Sequence, residues 1–460
     1  MIPLALREMV TNLRLWLAAG PLMALTAALL TITFSMRSLN ESLGEEEVEL
    51  MDQYDATLLA LVLLAGLGAA TVSVARVARR LRRRVAYQAI AGLAPSAAGT
   101  QFSHQVVGIA AICAALGILV GWALGPDAMS LIAWARSGRG DLNGHSDAHA
   151  ILGSFVITLG LSLIAATQGA AQARAVEPIE ALKPLPFRPR GPSRRRTWAA
   201  AACGLGGCLT AALAAYLPGL QRLRYQPIEA ANIGATCAGI TTVLLAVFLC
   251  LSAPHYCPFL IRVWTIFIPE NRLPALSLGR RGAAFQARRS LGSFNVILVG
   301  ALLTGATLSI YFSRSALDPA GRGWVEARDV SGVVLAGVPV LLALTGSVLT
   351  VIVTARSRVT ETQILRLSGV TSRQILVAGF TEAFILAVTA TFVAMAGVVV
   401  VGLTTAIGLS RVAWSPGWPA TLGFDSVVWI AQLGVTVMGM ALVTAIALPS
   451  VVRGLRQSFA

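Results

Sequence analysis

Long apolar stretches separated by short polar segments dominate the pattern of this 460-residue chain. A helix needs about 20 mainly apolar residues to cross the hydrocarbon core of a bilayer. Ten stretches satisfy this condition, at residues 15–36, 57–75, 104–125, 150–170, 197–217, 231–253, 292–312, 331–354, 376–408 and 426–449. The pattern therefore predicts an all-α polytopic membrane protein with about ten transmembrane helices.

The basic residues between these stretches predict the orientation of the chain. With the amino terminus inside, the inner segments hold 27 of the 36 Lys and Arg residues, and the outer loops hold the other nine. Cytoplasmic loops carry such an excess, so both termini are expected in the cytoplasm. Only one of the 36 cations is a lysine, and a preference for arginine with a high alanine content is typical of GC-rich bacterial genomes. The expected location is the bacterial cytoplasmic membrane.

The composition argues against other classes of protein. Hydrophobic residues make up 56% of the chain and charged residues 12%, and the mean hydropathy is +0.74, unlike any soluble domain of this size. The formal net charge of +15 does not indicate a nucleic-acid partner, because the basic residues lie in short loops without interleaved aromatic residues to stack on bases. The lipid bilayer is the expected partner of most of the surface.

The predicted outer loops are short, and the first is acidic. It runs from Arg37 to Ala56 and contains Glu41, Glu45, Glu46, Glu47, Glu49, Asp52 and Asp55. Two interpretations are open: a solvated helical extension that caps the first two spans, or a rim that attracts cations or cationic peptides. Each of the other outer loops has fewer than about 25 residues, which is too few for an independent domain.

Two cytoplasmic segments have their own character. Residues 184–196 form a predicted linker, because four prolines interrupt any helix and basic residues favour the membrane surface. Further along, a mixture of apolar and basic residues predicts an interfacial helix from about Leu276 to Arg289 that leads into the seventh span.

An internal repeat relates spans two to four to spans eight to ten. The segments Arg79–Gln105 and Arg356–Glu382 are both basic and amphipathic, and each is interrupted by a glycine, Gly92 or Gly369. The two glycines lie 277 positions apart, and the segments after the final spans correspond at an offset of 273. Such repeats are typical of transporters with related halves. The predicted parts are residues 1–56 (first span and acidic loop), 57–183 (first repeat), 184–196 (linker), 197–330 (spans five to seven with the interfacial helix) and 331–460 (second repeat).

The segment around Gly369 has the properties of a docking element. Helical periodicity places Ile364, Leu367 and Ile375 on one face, expected against lipid or neighbouring spans. The side chains expected to point toward water or a partner are Arg358, Glu361, Arg366 and Arg373. An anchored helix of this kind can receive force from a cytoplasmic subunit or can bind only anionic lipid, and composition alone favours neither.

These motifs resemble those of the FtsX/MacB-type permease family of ABC transporters. The family has a basic helix, an Arg-Leu-x-Gly-Ala/Val turn and an Arg-Gln pair that enters a span with a Glu. This chain has Arg366-Leu367-Ser368-Gly369-Val370, Arg373-Gln374 and Glu382. The family's exit motif corresponds to Arg174, Pro178, Glu180 and Leu182 after the fourth span. The resemblance covers residues 57–183 and 331–456.

The resemblance implies two FtsX-like three-span repeats whose coupling elements dock onto an ATPase subunit. The coupling residues would be Arg84, Gly92, Arg358, Arg366, Leu367, Gly369, Arg373, Gln374 and Glu382. The first copy departs from the family pattern, with Ala91 in place of the motif arginine and Gln105 in place of the Glu, so equal engagement of both copies is not expected. The ten-span layout resembles the bacitracin-export permeases, but without their large outer domain.

The sequence carries no catalytic or nucleotide-binding signature. No Gly-x-x-x-x-Gly-Lys-Ser/Thr motif occurs, and Lys183 is the only lysine. ATP and Mg²⁺ are therefore expected on a partner ATPase subunit, with no cofactor bound by this chain. Cys250, His255 and Cys257 are close in sequence, but the prolines beside them favour packing at the membrane edge over a metal site. The spans contain almost no acidic residues, which argues against a carrier driven by an ion gradient.

The expected function is that of a permease subunit rather than an enzyme. One chain would supply both halves of an assembly with two ATPase copies. ATP hydrolysis there would drive export or extraction of an amphipathic peptide, an antibiotic or a lipid-linked molecule. The alternative is a non-transporting transducer that regulates an envelope enzyme or a sensor through an outer partner protein. A third class, the secondary carrier, requires midplane charges that the sequence lacks.

Overall fold

A computed structural model of the chain describes residues 16, 20–40, 45–92, 94–137, 146–174, 194–221, 227–267, 274–289, 292–315, 337, 340–342, 345, 364–411 and 434. Within these residues the regular structure is helical and no strand occurs, which confirms the predicted all-α class for this part of the chain. The helices are α1 (Gly20–Asn40), α2 (Glu45–Ile90), α3 (Pro95–Ser137), α4 (Ala148–Arg174), α5 (Arg194–Gln221), α6 (Pro227–Trp264), α7 (Pro274–Arg289), α8 (Gly292–Ser315) and α9 (Ser372–Ser410).

Six helical stretches in the described residues are long and apolar enough to cross a membrane: Ser96–Leu131, Ala148–Arg174, Arg196–Leu220, Ile233–Trp264, Phe294–Ser313 and Ser372–Ser410. They coincide with the predicted third to seventh and ninth spans. Two shorter apolar stretches, Gly20–Met36 and Gly66–Ala75, fall within the predicted first and second spans. The spans predicted at 331–354 and 426–449 lie outside the described residues, apart from isolated positions. The protein is therefore membrane-embedded, while ten spans and their orientation stay predictions.

The chain divides into two compact units, Met1–Arg188 and Pro189–Ala460. The division falls within residues 184–196, the predicted linker. Its last three residues are nevertheless helical, because α5 begins at Arg194. The last of the four prolines is Pro192, so the arginines that follow are free to adopt the helical conformation for which arginine has a good propensity.

The first unit contains four described helices in mutual contact. α1 packs against α2, α3 and α4, and α4 packs against α2 and α3. A side chain at Gly117 of α3 would overlap the carbonyl oxygen of Ala24 on α1. Glycine therefore lets these two backbones approach closely, as small residues do between membrane helices.

The acidic segment predicted as an outer loop is largely helical. α1 continues to Asn40, and α2 begins at Glu45, so residues 45–56 extend the second span as one helix. α2 has 46 residues and is about 69 Å long at 1.5 Å per residue, far longer than the roughly 30 Å of a hydrocarbon core. Of the two interpretations of the acidic segment, the helical extension matches this geometry.

The central helix of the second unit is α9. It packs against α5, α6, α7 and α8, and its buried side chains contribute much of the core. A side chain at Gly408 would overlap the carbonyl oxygen of Ala214 on α5. Nearer the middle of α9, the Nε1–H of Trp264 on α6 donates a hydrogen bond of 3.0 Å to Oγ1 of Thr389. These contacts fix α9 to its neighbours along much of its length.

A proline interrupts the hydrogen bonding of α6, and an arginine from α5 compensates. Pro254 has no N–H, so the carbonyl group of Cys250 loses its helical partner. Arg196 donates Nη2–H to this carbonyl over 3.2 Å and Nε–H to the carbonyl of Leu251 over 3.0 Å. The guanidinium thus joins the start of α5 to the proline turn of α6.

The helix predicted from about Leu276 to Arg289 is present as α7 and begins two residues earlier, at Pro274. Proline is favourable at the first position of a helix, where its missing N–H has no intrahelical partner. α7 packs closely on the first third of α9. A side chain at Gly279 would lie 2.7 Å from the carbonyl oxygen of Ala378, too close for any residue larger than glycine without a shift.

Candidate coupling surface

The turn at Gly369 ends a helix in a Schellman motif. Residues 364–367 are helical, and Gly369 has a φ of +87°. The N–H of Val370 donates to the carbonyl of Leu365 over 3.1 Å, and the N–H of Gly369 donates to the carbonyl of Arg366 over 2.9 Å. These are the two hydrogen bonds that define the motif, and glycine adopts its left-handed position without the strain that a Cβ would cause.

The chain restarts as α9 with a complete capping box. Oγ1 of Thr371 accepts from the N–H of Gln374 over 3.4 Å, and Oε1 of Gln374 accepts from the N–H of Thr371 over 2.9 Å. Across the turn, Nη2 of Arg366 donates to Oγ of Ser372 over 2.8 Å. The two helices are therefore joined by a hydrogen-bonded turn with a fixed conformation.

The helical side of this turn presents two exposed apolar side chains. Leu367 is 90% exposed, the largest value among the large apolar residues that the structure describes, and Ile364 is 61% exposed. The two residues are three positions apart, so they share one face of the helix. An apolar pair on a rigid turn gains free energy when a partner surface covers it.

The first unit contains a turn of the same kind. Gly92 has a φ of +91°, and its N–H donates to the carbonyl of Ala89 over 3.1 Å. The preceding helix α2 ends at Ile90, and α3 begins at Pro95. Ile90 and Tyr87 are 52% and 57% exposed, again three positions apart. Gly92 and Gly369 are the two glycines with positive φ in the described part of the chain.

The boundaries of the two turns correspond at the offset found in the sequence. Ile90 and Leu367 are the last helical residues before each turn, and they are 277 positions apart. Pro95 and Ser372, the first residues of α3 and α9, are separated by the same number. The two exposed apolar pairs also correspond at this offset. The local backbone and the surface pattern therefore repeat together.

This register corrects one assignment made from the sequence. Ala91 was expected in place of the motif arginine, but the matched hydrogen bonds align Ala91 with Ser368. The residue that corresponds to Arg366 is Ala89. The offset of 277 between Gly92 and Gly369 already implies this pairing, and the hydrogen bonds of the two turns confirm it.

The helix starts after the two turns differ. Ala94 and Ala97 of the first unit occupy the positions of Thr371 and Gln374, so no side chain there can form a capping box. Pro95 takes the first helical position instead. Deeper in α3, Gln105 is buried where α9 carries Glu382, as the sequence comparison had indicated.

The predicted site residues of the second unit do not all share one surface. Arg373 is exposed beside the turn, but Ile375, which was expected on the face of Ile364 and Leu367, is only 6% exposed and lies in the core. That expectation was wrong because the helical period does not continue through the Gly369 turn.

Glu382 lies away from the turn. It is eight residues beyond Gln374, which corresponds to about 12 Å along the helix. Its carboxylate faces α7, because a side chain added at Gly282 would lie 3.1 Å from Oε2 of Glu382. The structure therefore associates Glu382 with the packing of α7 on α9.

In the first unit the structure places Arg84 and part of the exit motif. Arg84 is exposed on the last turns of α2. Arg174, at the end of α4, lies across Gly99 near the start of α3, with Nε 2.5 Å from the position of an added Cβ. The exit arginine is thus brought to the helix that follows the Gly92 turn. The predicted residues Arg358, Pro178, Glu180 and Leu182 lie outside the described residues.

Two features were not recognised in the sequence: the side-chain hydrogen bonds that stabilise the Gly369 turn, and the exposed apolar pair Tyr87 and Ile90 of the first unit. Thr371 with Gln374 three residues later is the sequence signature of a capping box, so this feature was available. Tyr87 and Ile90 gave no comparable signal, because an apolar residue in an amphipathic segment is equally compatible with burial.

Within the described ranges no three His, Cys, Asp or Glu side chains are grouped as potential metal ligands. No protein-family model matches this chain, and no curated protein is significantly similar to it. The geometry of the two turns is therefore the main indication of what this chain does.

Proposed function

We propose that this chain is the membrane subunit of an ABC-type transporter in which a separate ATPase, in two copies, docks on the Gly92 and Gly369 turns. The observation that carries the proposal is the repeated surface: each turn has a left-handed glycine and an exposed apolar pair at the same register. The motif residues Arg366, Leu367 and Gly369 lie within one turn, as the family resemblance implies. ATP and Mg²⁺ would be bound by the partner.

The construction of the turns suits the transmission of force. A push on Leu367 acts on a backbone fixed by Schellman hydrogen bonds and by the capping box of Thr371 and Gln374. α9 continues from there for 39 residues, about 58 Å, and is packed against four helices. Displacement of the turn would therefore move a long, rigid helix.

The magnitudes favour a dynamic contact with the partner. Full burial of a leucine or isoleucine side chain contributes about 1.5–3 kcal/mol, and association costs reduce the net gain. Exposed arginines near each turn, Arg84 and Arg373, would orient an acidic ATPase surface and speed its association. Such a contact is strong enough to transmit a stroke and weak enough to change during an ATP cycle.

The transported molecule would be an amphipathic peptide, an antibiotic or a lipid-linked compound, moved by the helices that the turns displace. This class fits a membrane part whose helices are predominantly apolar and small-residue rich, with almost no acidic side chains in the described spans. A charged substrate would need fixed counter-charges at midplane depth.

A second candidate, a non-transporting transducer, is favoured by the continuity of α2. One helix joins the acidic end at Glu45 to the segment before Gly92, so movement of the cytoplasmic turn would reach the other end of a rod about 69 Å long. In that case the acidic end would act on an outer or sensor protein. The two candidates differ in whether ATP drives movement of a substrate in vesicles that contain only the two subunits.

The test is site-specific photo-crosslinking in cells that co-express the chain with an ABC ATPase subunit from the same genome. A photoreactive amino acid replaces Leu367, Ile90 or, as a control, Leu205, which is 73% exposed on the apolar span of α5. We expect crosslinks to the ATPase from Leu367 and Ile90 and none from Leu205. Absence of ATPase crosslinks from both turns, in a chain that inserts normally, would refute the proposal.

A further inference from the structure

The helix α7 presents a basic and aromatic face that the proposed coupling does not use. Arg281 is exposed, and Phe285, one helical turn further on, is 62% exposed. The two residues are four positions apart and therefore share a face. The sequence of α7 contains four arginines and no acidic residue.

The other side of α7 is fixed to the membrane part of the second unit. Ala283 and Ala287 are buried, and Gly279 approaches the backbone of α9 at Ala378. α8, which contains the apolar span from Phe294, begins three residues after the end of α7. A basic helix held so close to the end of a membrane span has the features of an interfacial helix.

The end of α6 has the same combination of side chains. Arg262 is exposed there and Phe259 is 65% exposed, and Ile266, in the short 3-10 turn Thr265–Phe267 that follows α6, is 67% exposed. α6 packs against α7. Apolar side chains beside arginines match the boundary between acyl chains and phosphates, where both kinds of group find their preferred surroundings. In open water the apolar side chains would stay hydrated at a cost.

We propose that the exposed face of α7, together with the end of α6, binds anionic phospholipid headgroups of the adjacent membrane leaflet. Arg281 and Arg262 donate hydrogen bonds to phosphate oxygens, and Phe285 inserts among the first acyl carbons. A guanidinium has five N–H donors, so Arg281 can serve a phosphate and a protein partner together. This binding does not depend on the ATPase partner.

Native mass spectrometry of the full-length chain in a neutral detergent tests the inference, with phosphatidylglycerol and phosphatidylcholine titrated separately. We expect tighter binding of phosphatidylglycerol. Loss of one positive charge near an anionic surface weakens binding about five-fold, so Arg281→Gln should show that factor and Arg281→Glu about 30-fold. Arg281→Lys should stay within two-fold of the unmodified chain, and Phe285→Ser should weaken binding of both lipids.

The matched control is Arg411→Glu, the same charge change at the opposite end of α9. Phosphatidylglycerol binding should be unaffected in this variant. Equal binding of the two lipids, or equal losses in Arg281→Glu and Arg411→Glu, would overturn the inference. So would a loss of ATPase binding in Arg281→Glu with unchanged lipid binding, because the face would then belong to a protein partner. If Arg281→Glu fails to fold, Arg262→Gln carries the same expectation of about five-fold.

Discussion

The Gly92 and Gly369 turns share a backbone conformation but differ in the side chains that fix it. Both glycines have φ near +90°, and both follow a helix that ends in an exposed apolar pair. At the Gly369 turn, side-chain hydrogen bonds join Thr371 with Gln374 and Arg366 with Ser372. The corresponding positions of the Gly92 turn are Ala89, Ala94, Pro95 and Ala97, whose side chains have no donor or acceptor. The repeat has thus kept the backbone that forms the surface and varied the groups that stiffen it.

This difference has a mechanical consequence. Force applied at Leu367 reaches α9 through a turn that backbone and side-chain hydrogen bonds stabilise together. Force applied at Ile90 reaches α3 through a turn stabilised by backbone hydrogen bonds and by Pro95 at the start of α3. If the proposed docking holds, the second unit should receive force with less loss at the turn, and disruption of its surface should have the larger effect.

The largest expected effect is therefore at the apolar pair of the second unit. Leu367→Asp should reduce ATPase stimulation by the chain at least about ten-fold, because burial of this side chain contributes about 1.5–3 kcal/mol. Ile90→Asp should cost less, since Ile90 is 52% exposed against 90% for Leu367 and so offers a partner less new contact. ATP hydrolysis by the purified complex in nanodiscs measures both.

Leu367→Met is the matched control, because it keeps an apolar side chain of similar volume and should retain stimulation. An equal or larger loss in Ile90→Asp would reverse the proposed ranking of the two turns. Insertion of each variant into the membrane is checked by its yield and by its elution volume in detergent.

The second-largest effect concerns the stability of the turns themselves and should be equal at Gly92 and Gly369. A Cβ added at Gly92 or Gly369 meets nothing within 4 Å, so the cost of alanine is that of the left-handed backbone alone. Gly92→Ala and Gly369→Ala should each destabilise the local turn by about 1–2 kcal/mol. Hydrogen exchange of the flanking amides measures this cost, and clearly unequal values would show that the turns are not conformationally equivalent.

The sequence was sufficient for the features that depend on long-range composition. Apolar stretches of the length of a bilayer predicted the helices that contain them, which in the described residues are α3, α4, α5, α6, α8 and α9. The mixture of apolar and basic residues predicted α7. The glycine at the centre of each basic segment also predicted a turn, because few other residues adopt positive φ. The helical extension from Glu45 was one of two interpretations, since acidic residues are compatible with helix or loop.

The details of the site required coordinates. Helical periodicity placed three residues on one face, Ile364, Leu367 and Ile375. The helix is interrupted by the turn at Gly369, however, and Ile375 lies in the core. The error for Ile375 comes from extending one helical period across the turn at Gly369, because local sequence does not encode the angle between the two helices. The family resemblance assigned Glu382 to the coupling element, and the coordinates add that its carboxylate faces α7 at Gly282.

The smallest expected effect comes from removing the capping box of the Gly369 turn and building one after the Gly92 turn. Thr371→Ala removes the capping box of α9 and should cost about 1 kcal/mol. The double change Ala94→Thr with Ala97→Gln would build the corresponding box in the first unit, at the positions 277 residues earlier, and should protect the first amides of α3 by up to a similar amount. Hydrogen exchange at the starts of α3 and α9 reports each change separately.

Single changes at Ala94 and Ala97 serve as controls, because half a box satisfies one amide rather than two. Loss of protection in the double variant would mean that Pro95 already fixes this helix start in a geometry that excludes the box. The two turns would then differ in mechanism and not merely in the number of hydrogen bonds that hold them.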